Sequence, residues 1–135
     1  MKRRFVVALA TLFGACGSST QLAPTGPHPP HVQEFVLVEY PPPPAQIEEI
    51  PEAIEGAPEC VWVDGYYAWE ERRFAWHPGQ WVQPSEDCYY ARPVIAWSRV
   101  GEPRLYYTPP RWYHEDALGR TGGAALCPVP RTCSR

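Results

Sequence analysis

At 135 residues, with 12 basic and 15 acidic side chains, the chain has room for one small domain and little else. Eighteen prolines, five cysteines and an aromatic content of 13% describe a protein short of aliphatic core. The balance is acidic and no basic stripe is present, which excludes nucleic acid as a partner.

Lys2, Arg3 and Arg4 precede the apolar run 5–13, and Gly14, Ala15 and Cys16 follow it. A basic start, a short apolar stretch and small residues before a cut site mark residues 1–15 as a secretory signal peptide. The run is far below the roughly 20 residues of a membrane-spanning helix. Leu12, Gly14, Ala15 and Cys16 resemble a bacterial lipobox, which implies that Cys16 is diacylated and becomes the new N-terminus. By the same resemblance, Gly17 in place of Asp implies an outer-membrane lipoprotein of the cell envelope, facing periplasm or exterior. Acyl chains contribute about 0.8 kcal/mol per buried methylene, enough for a stable anchor when two or three are present. Cleavage after Ala15 without lipidation would instead release a soluble protein. Without residues 1–15 the chain keeps nine basic and 15 acidic residues, a net charge near −6.

Residues 16–58 form an acidic, proline-rich segment that holds ten of the eighteen prolines, and its start is expected to be disordered or extended. Residues 32–40 are β-branched and aromatic enough for a strand. Pro41 to Pro44 impose a polyproline II path, and residues 47–50 suit one more short strand. A spacer of this kind advances ~3.1 Å per residue, with a reach on the order of 100 Å at most.

Residues 59–118 differ sharply, since 14 of the 18 aromatic residues fall between Trp62 and Tyr113. Residues 61–69 and 74–82 read as strands on either side of the polar break 70–73, with a bend at Pro78-Gly79. Residues 89–97 and 105–113 read as a second hairpin, joined through residues 100–103. The predicted fold is all-β, a small twisted antiparallel meander of four to six short strands in aromatic-rich hairpins. Residues 119–135 form a C-terminal tail with a possible disulfide loop.

The segment is weakly self-similar. Residues 61–67 can be laid over 74–81, each Gly being followed by an aromatic residue, and 105–112 repeat the outline with Pro110 in place of Gly79. Residues 89–97 keep almost none of it. This pattern resembles the bacterial YXWGXW repeat proteins, whose units read aromatic-x-Pro-Gly-x-Trp. The resemblance covers about residues 35–113 and implies an exported protein with a proline-rich stretch ahead of its repeats. It implies no reaction.

If Cys16 carries lipid, Cys60, Cys88, Cys127 and Cys133 remain, an even number that suggests two disulfides in an oxidising compartment. Cys60–Cys88 and Cys127–Cys133 are the preferred pairs, although three connectivities are open. A four-cysteine zinc site would need close pairs that the spacing lacks, and no metal or cofactor is expected. His77 and His114, the latter beside Glu115 and Asp116, lack a ligand-spacing signature. Asp64, Glu70, Glu71, Glu86 and Asp87 offer carboxylate pairs, but a module this small scarcely encloses a cleft for them. No enzyme is expected. Alternation places aromatic rings on both faces of the first strand, which reads either as a ring-built core or as a binding platform. The candidate contact surface is Trp62, Tyr66, Trp81 and Trp112, with Asp64 and Arg111 as polar partners. It would meet an unidentified envelope protein or, alternatively, peptidoglycan or surface polysaccharide.

Overall fold

The computed structural model describes residues 20–30, 34–115 and 125–134. Ten short strands run through them, and no α-helix occurs among the described residues. The fold is all-β, as expected, but its strands do not follow one another as a meander. They nest.

The first hairpin contains β2 (Val61–Val63), β3 (Tyr66–Glu70), β4 (Arg73–His77) and β5 (Gln80–Gln83). The inner pair β3–β4 and the outer pair β2–β5 share one continuous register, from Glu70 opposite Arg73 out to Val61 opposite Val82. The ladder is interrupted only at Asp64-Gly65 and Pro78-Gly79. Pro78 has no N–H to donate and the glycines have no side chain to pack, so the interruption falls where the chain can least sustain a ladder. At the tip, Glu71 and Arg72 both take left-handed backbone angles (φ 47° and 63°), as a two-residue type I′ turn requires.

The second hairpin repeats this plan. It contains β6 (Cys88–Ala91), β7 (Val94–Ser98), β8 (Arg104–Thr108) and β9 (Arg111–His114). β6 pairs with β9 and β7 with β8, again in one register, and the interruption lies at Arg92-Pro93 and Pro109-Pro110. Residues 89–97, which keep little of the motif in sequence, therefore occupy the same structural place as the first copy of the repeat. The strand β1 (Val36–Val38) adds to β8, giving a three-stranded sheet β1-β8-β7.

The proline-rich segment is part of the module. Trp62 N donates to Gln21 O (2.8 Å) and Ala23 N to Trp62 O (3.0 Å). One step further along, Tyr90 N donates to Pro24 O (2.7 Å) and Gly26 N to Tyr90 O (3.0 Å). Residues 21–26 thus strap the first strand of each hairpin in turn. Residues 47–50, expected as a strand, form none, because Glu48 is engaged by side chain and not by ladder (below). The long-spacer expectation gives way to a wrap.

The tail closes the other side. Cys127 N donates to Trp112 O (2.9 Å), then β10 (Arg131–Thr132) pairs with β5, and Cys133 N donates to Trp81 O (2.9 Å). The disulfides are Cys60–Cys133 and Cys88–Cys127. These correct the expected pairs for a topological reason. Cys60 and Cys88 stand at the same place in two separate hairpins, and the tail crosses the base of both, so each meets a tail cysteine instead of the other. The closed loops span 73 and 39 residues, which corresponds to about 4 kcal/mol of chain-entropy stabilisation for either bridge taken alone.

The core follows from this layering. Val61, Val63, Val82 and Tyr90 form one cluster, with Trp112 against it, where the two hairpin bases meet. Trp62, Trp81 and Cys60 form another on the opposite face, covered by Ile54 and Ala57 of the wrap. Val38, Leu105 and Tyr107 pack against Trp69 and Phe74 of the first hairpin's inner pair. Tyr113 is fully buried.

Candidate functional site

The two interruptions are held differently, and the first explains the repeat. Its two copies are Trp62-Val-Asp-Gly65-Tyr-Tyr67 and Trp76-His-Pro-Gly79-Gln-Trp81. Trp62 lies opposite Trp81 and Tyr67 opposite Trp76, so each copy's opening ring pairs with the other copy's closing ring. The indole of Trp62 covers Gly79 and that of Trp76 covers Gly65, and a Cβ on either glycine would fall inside the ring. Trp-x-x-Gly is therefore a reciprocal lock between two strands. Glu48 of the wrap completes it, accepting hydrogen bonds from Trp76 Nε1 (3.2 Å) and from the Gly79 backbone N–H (2.9 Å). Its carboxylate satisfies a donor that the interrupted ladder leaves unpaired.

Between the two interruptions lies a cavity of about 350 Å³. Tyr66, Tyr67 and Trp76 line it from the first hairpin, Tyr90 and Tyr107 from the second, and Pro42 and Pro43 of the wrap form a further wall. Asp64 and Arg92, one from each interruption, also line it and are paired at 3.5 Å. Asp64 also accepts a hydrogen bond from Trp62 Nε1 (3.1 Å). The hydroxyls of Tyr90 and Tyr107 are buried without a hydrogen-bond partner among the described residues. Burial, reinforced by the nearby Tyr66 phenol, raises the pKa of both, that of Tyr107 to about 12. Both phenols therefore stay protonated and neutral at ordinary pH.

The residues expected to form an exposed ring platform are only partly brought together: Tyr66, Arg111 and Trp112 line one groove, and Trp62 and Trp81 do not join it. Trp62 (5% exposed) and Trp81 (7%) are buried beneath the wrap. Tyr66 is half-buried and stacked on His77 (5.2 Å between centroids, 17° between planes). Trp112 is half-buried against Tyr90 at 5.3 Å. Arg111 is engaged by Glu34, with its Nε and a terminal nitrogen at 2.9 and 2.8 Å from one carboxylate oxygen. Of that set Trp62, Asp64 and Tyr66 line the cavity. The wrap covers the face that alternation left to solvent, which is why Trp62 and Trp81 are buried. Cys16 and Asp116 lie outside the described residues.

Glu48, Tyr90, Arg92 and Tyr107 carried no signal in the sequence. Glu48 is one of seven glutamates in an acidic stretch, and the other three gain meaning only from the register of the second hairpin. His77 and His114 sit on different hairpins, the first against Glu70 at 2.7 Å on the surface. The ligand atoms of Cys88, His114 and Cys127 lie within 4.8 Å of one another, but the two sulfurs are bonded to each other.

The outer face of the sheet β1-β8-β7 is the other feature of note. Leu37, Tyr106 and Ala96 are cross-strand neighbours on it, and strand alternation adds Val94. Phe35 stands edge-on to Tyr106 at 6.4 Å. Phe35 is 63% exposed and Leu37 53%, so this apolar row faces solvent.

Comparison with known proteins gives one match. The WXXGXW repeat model fits two copies over residues 61–82, the segment of the reciprocal lock. No curated protein and no solved structure matches the chain.

Proposed function

We propose that this chain, with its two WXXGXW units, is a non-catalytic lipoprotein of the cell envelope that makes contacts with another envelope protein. The tether is a lipid on Cys16, left as the N-terminus once residues 1–15 are removed, and the membrane is the outer one. The strap begins at Gln21, so only residues 17–20 separate it from Cys16. Five peptide units span at most about 18 Å. The module therefore rides close to the bilayer, not at the end of a long leash.

The contact reading is carried by the uncovered row Phe35, Leu37, Val94 and Tyr106 on the outer face of β1-β8-β7. A small domain that buries most of its rings but leaves such a row in water has a partner for it. Among the described residues both edges of that sheet, β1 and β7, also have a free side to which another strand could add. Non-catalysis is supported by the scattered histidines and by carboxylates engaged in surface pairs or in the lock. The alternative of an external sugar platform loses its geometry with Trp62 and Trp81 under the wrap.

The test is site-specific photo-crosslinking in cells. A probe at Leu37 or Tyr106 is expected to capture one discrete protein, and a probe at Arg72, on the tip of the first hairpin, is expected to capture none. Equal capture at both places, or none at either, would refute the contact surface. Mass analysis of the N-terminal peptide tests the tether separately: an unmodified chain that starts at Cys16 would refute it.

A further inference from the structure

We infer that the cavity between the two interruptions is a binding site for one neutral sugar ring, independent of the outer apolar face. Three features of the site select that chemistry. Its volume of about 350 Å³ lies at the low end of small-ligand sites, which span about 300–1,000 Å³. That suits a compact molecule and not an extended chain, and Pro42 and Pro43 already occupy the wall along which a polyproline peptide would lie.

The charge pattern narrows it further. Asp64 and Arg92 face each other, so the site carries no net charge to attract a cation or an anion. Their side chains remain 56% and 63% exposed, which leaves guanidinium donors and carboxylate lone pairs free side by side. A neighbouring acceptor and donor match two adjacent hydroxyls of a sugar, one giving a hydrogen bond and the other receiving one. The rest of the lining is uncharged and includes seven aromatic residues, and aromatic rings pack against the C–H face of a pyranose.

The phenols agree with a neutral ligand. Tyr66, Tyr90 and Tyr107 come from three different strands and converge on the cavity. Two buried hydroxyls without partners are costly in a folded protein, and they mark the places where a hydroxyl-bearing guest would be welcome after a small side-chain adjustment. A purely apolar guest would leave them as they are.

The experiment is a titration of the full mature chain, disulfides intact, with glucose, galactose and N-acetylglucosamine, followed by tryptophan fluorescence and by proton NMR of the indole N–H signals. Cyclohexanol and a proline-rich decapeptide serve as comparison probes. At least one neutral sugar is expected to saturate a change at Trp62 or Trp76. Asp64→Asn and Arg92→Gln are each expected to weaken it ten-fold or more while leaving the thermal midpoint within a few degrees. A chain that ignores all three neutral sugars overturns the inference, as does sugar binding that both variants keep at the strength of the unaltered chain. Stronger binding of the decapeptide or of cyclohexanol overturns it too. A Leu37→Ser variant, which disrupts the outer face, is expected to bind the sugar unchanged, so failure of the partner reading and failure of this one are separable.

Discussion

The two hairpins share a layout and differ at the interruption. In the first, Gly65 and Gly79 offer bare backbone, and the indoles of Trp76 and Trp62 lie on it. In the second, Pro93 and Pro110 hold the matching positions, with Tyr90 opposite Trp112 and Ile95 opposite Tyr107 where the first has its ring pairs. A pyrrolidine ring leaves no flat floor for a neighbour's ring. The first interruption is consequently covered by its own indoles while it lends Asp64 and Gly65 to the cavity, whereas the second, with no ring laid on it, contributes Arg92 and Pro93. The lesson is that one backbone plan forms a pocket wall in both hairpins and becomes a lock as well where it has glycine.

The strongest way to break the comparison is to remove one bridge at a time. Cys60→Ser/Cys133→Ser frees the tail from the first hairpin and is expected to cost about 4 kcal/mol in urea denaturation. Cys88→Ser/Cys127→Ser opens the shorter loop and is expected to cost slightly less. A reversed order would show that the second hairpin depends on the tail more than the first.

Next comes Gly79→Ala, which drives a methyl into the Trp62 ring. Overpacking of this kind costs about 1–3 kcal/mol. Pro110→Ala, at the matching place, meets no such ring and is expected to change stability by less than about 1 kcal/mol. Equal effects at the two positions would refute the lock.

Glu48→Ala removes the acceptor for Trp76 Nε1 and the Gly79 N–H. Hydrogen bonds to a charged group are worth about 1.5–3 kcal/mol, and part is recovered by water at this half-buried site, so a loss of about 2 kcal/mol is expected. Amide exchange at Gly79 is expected to accelerate in the same variant, while amides of the second hairpin keep their protection. The smallest effect lies at the tips. Replacing Glu71-Arg72 by Asn-Gly suits the left-handed backbone there and is expected to raise stability by about 1 kcal/mol. The tip of the second hairpin already has Gly101 at its positive φ of 76° and gains nothing from a comparable change.

Much of this architecture was legible before folding. The β-branched and aromatic runs located both hairpins, the Pro-Gly dipeptide located one interruption, and the even cysteine count pointed to two bridges. The candidate site was far less legible. Tyr90 and Tyr107 look like any strand tyrosines, and Arg92 like any loop arginine, until the second hairpin's register sets them beside Asp64 and Tyr66. Trp62 and Trp81, two of the four rings offered as an outer platform, drop out of it for a related reason. Alternation tells which residues share a face, yet Ile54 and Ala57, in a stretch that looks too acidic and proline-rich to pack, decide that the Trp62–Trp81 face is covered.

Local chemistry alone thus determined the strand type, the turn positions and the ring-for-aliphatic makeup of the interior, because period, branching and backbone restrictions act over a few neighbouring residues. Tertiary structure decided the nesting of the hairpins, the partner of each cysteine and the conversion of a proline-rich segment into a strap. Those outcomes depend on hydrogen bonds and packing between segments far apart in the chain, such as Gln21 with Trp62 and Trp81 with Cys133. No local pattern encodes which distant edge will be free to receive them.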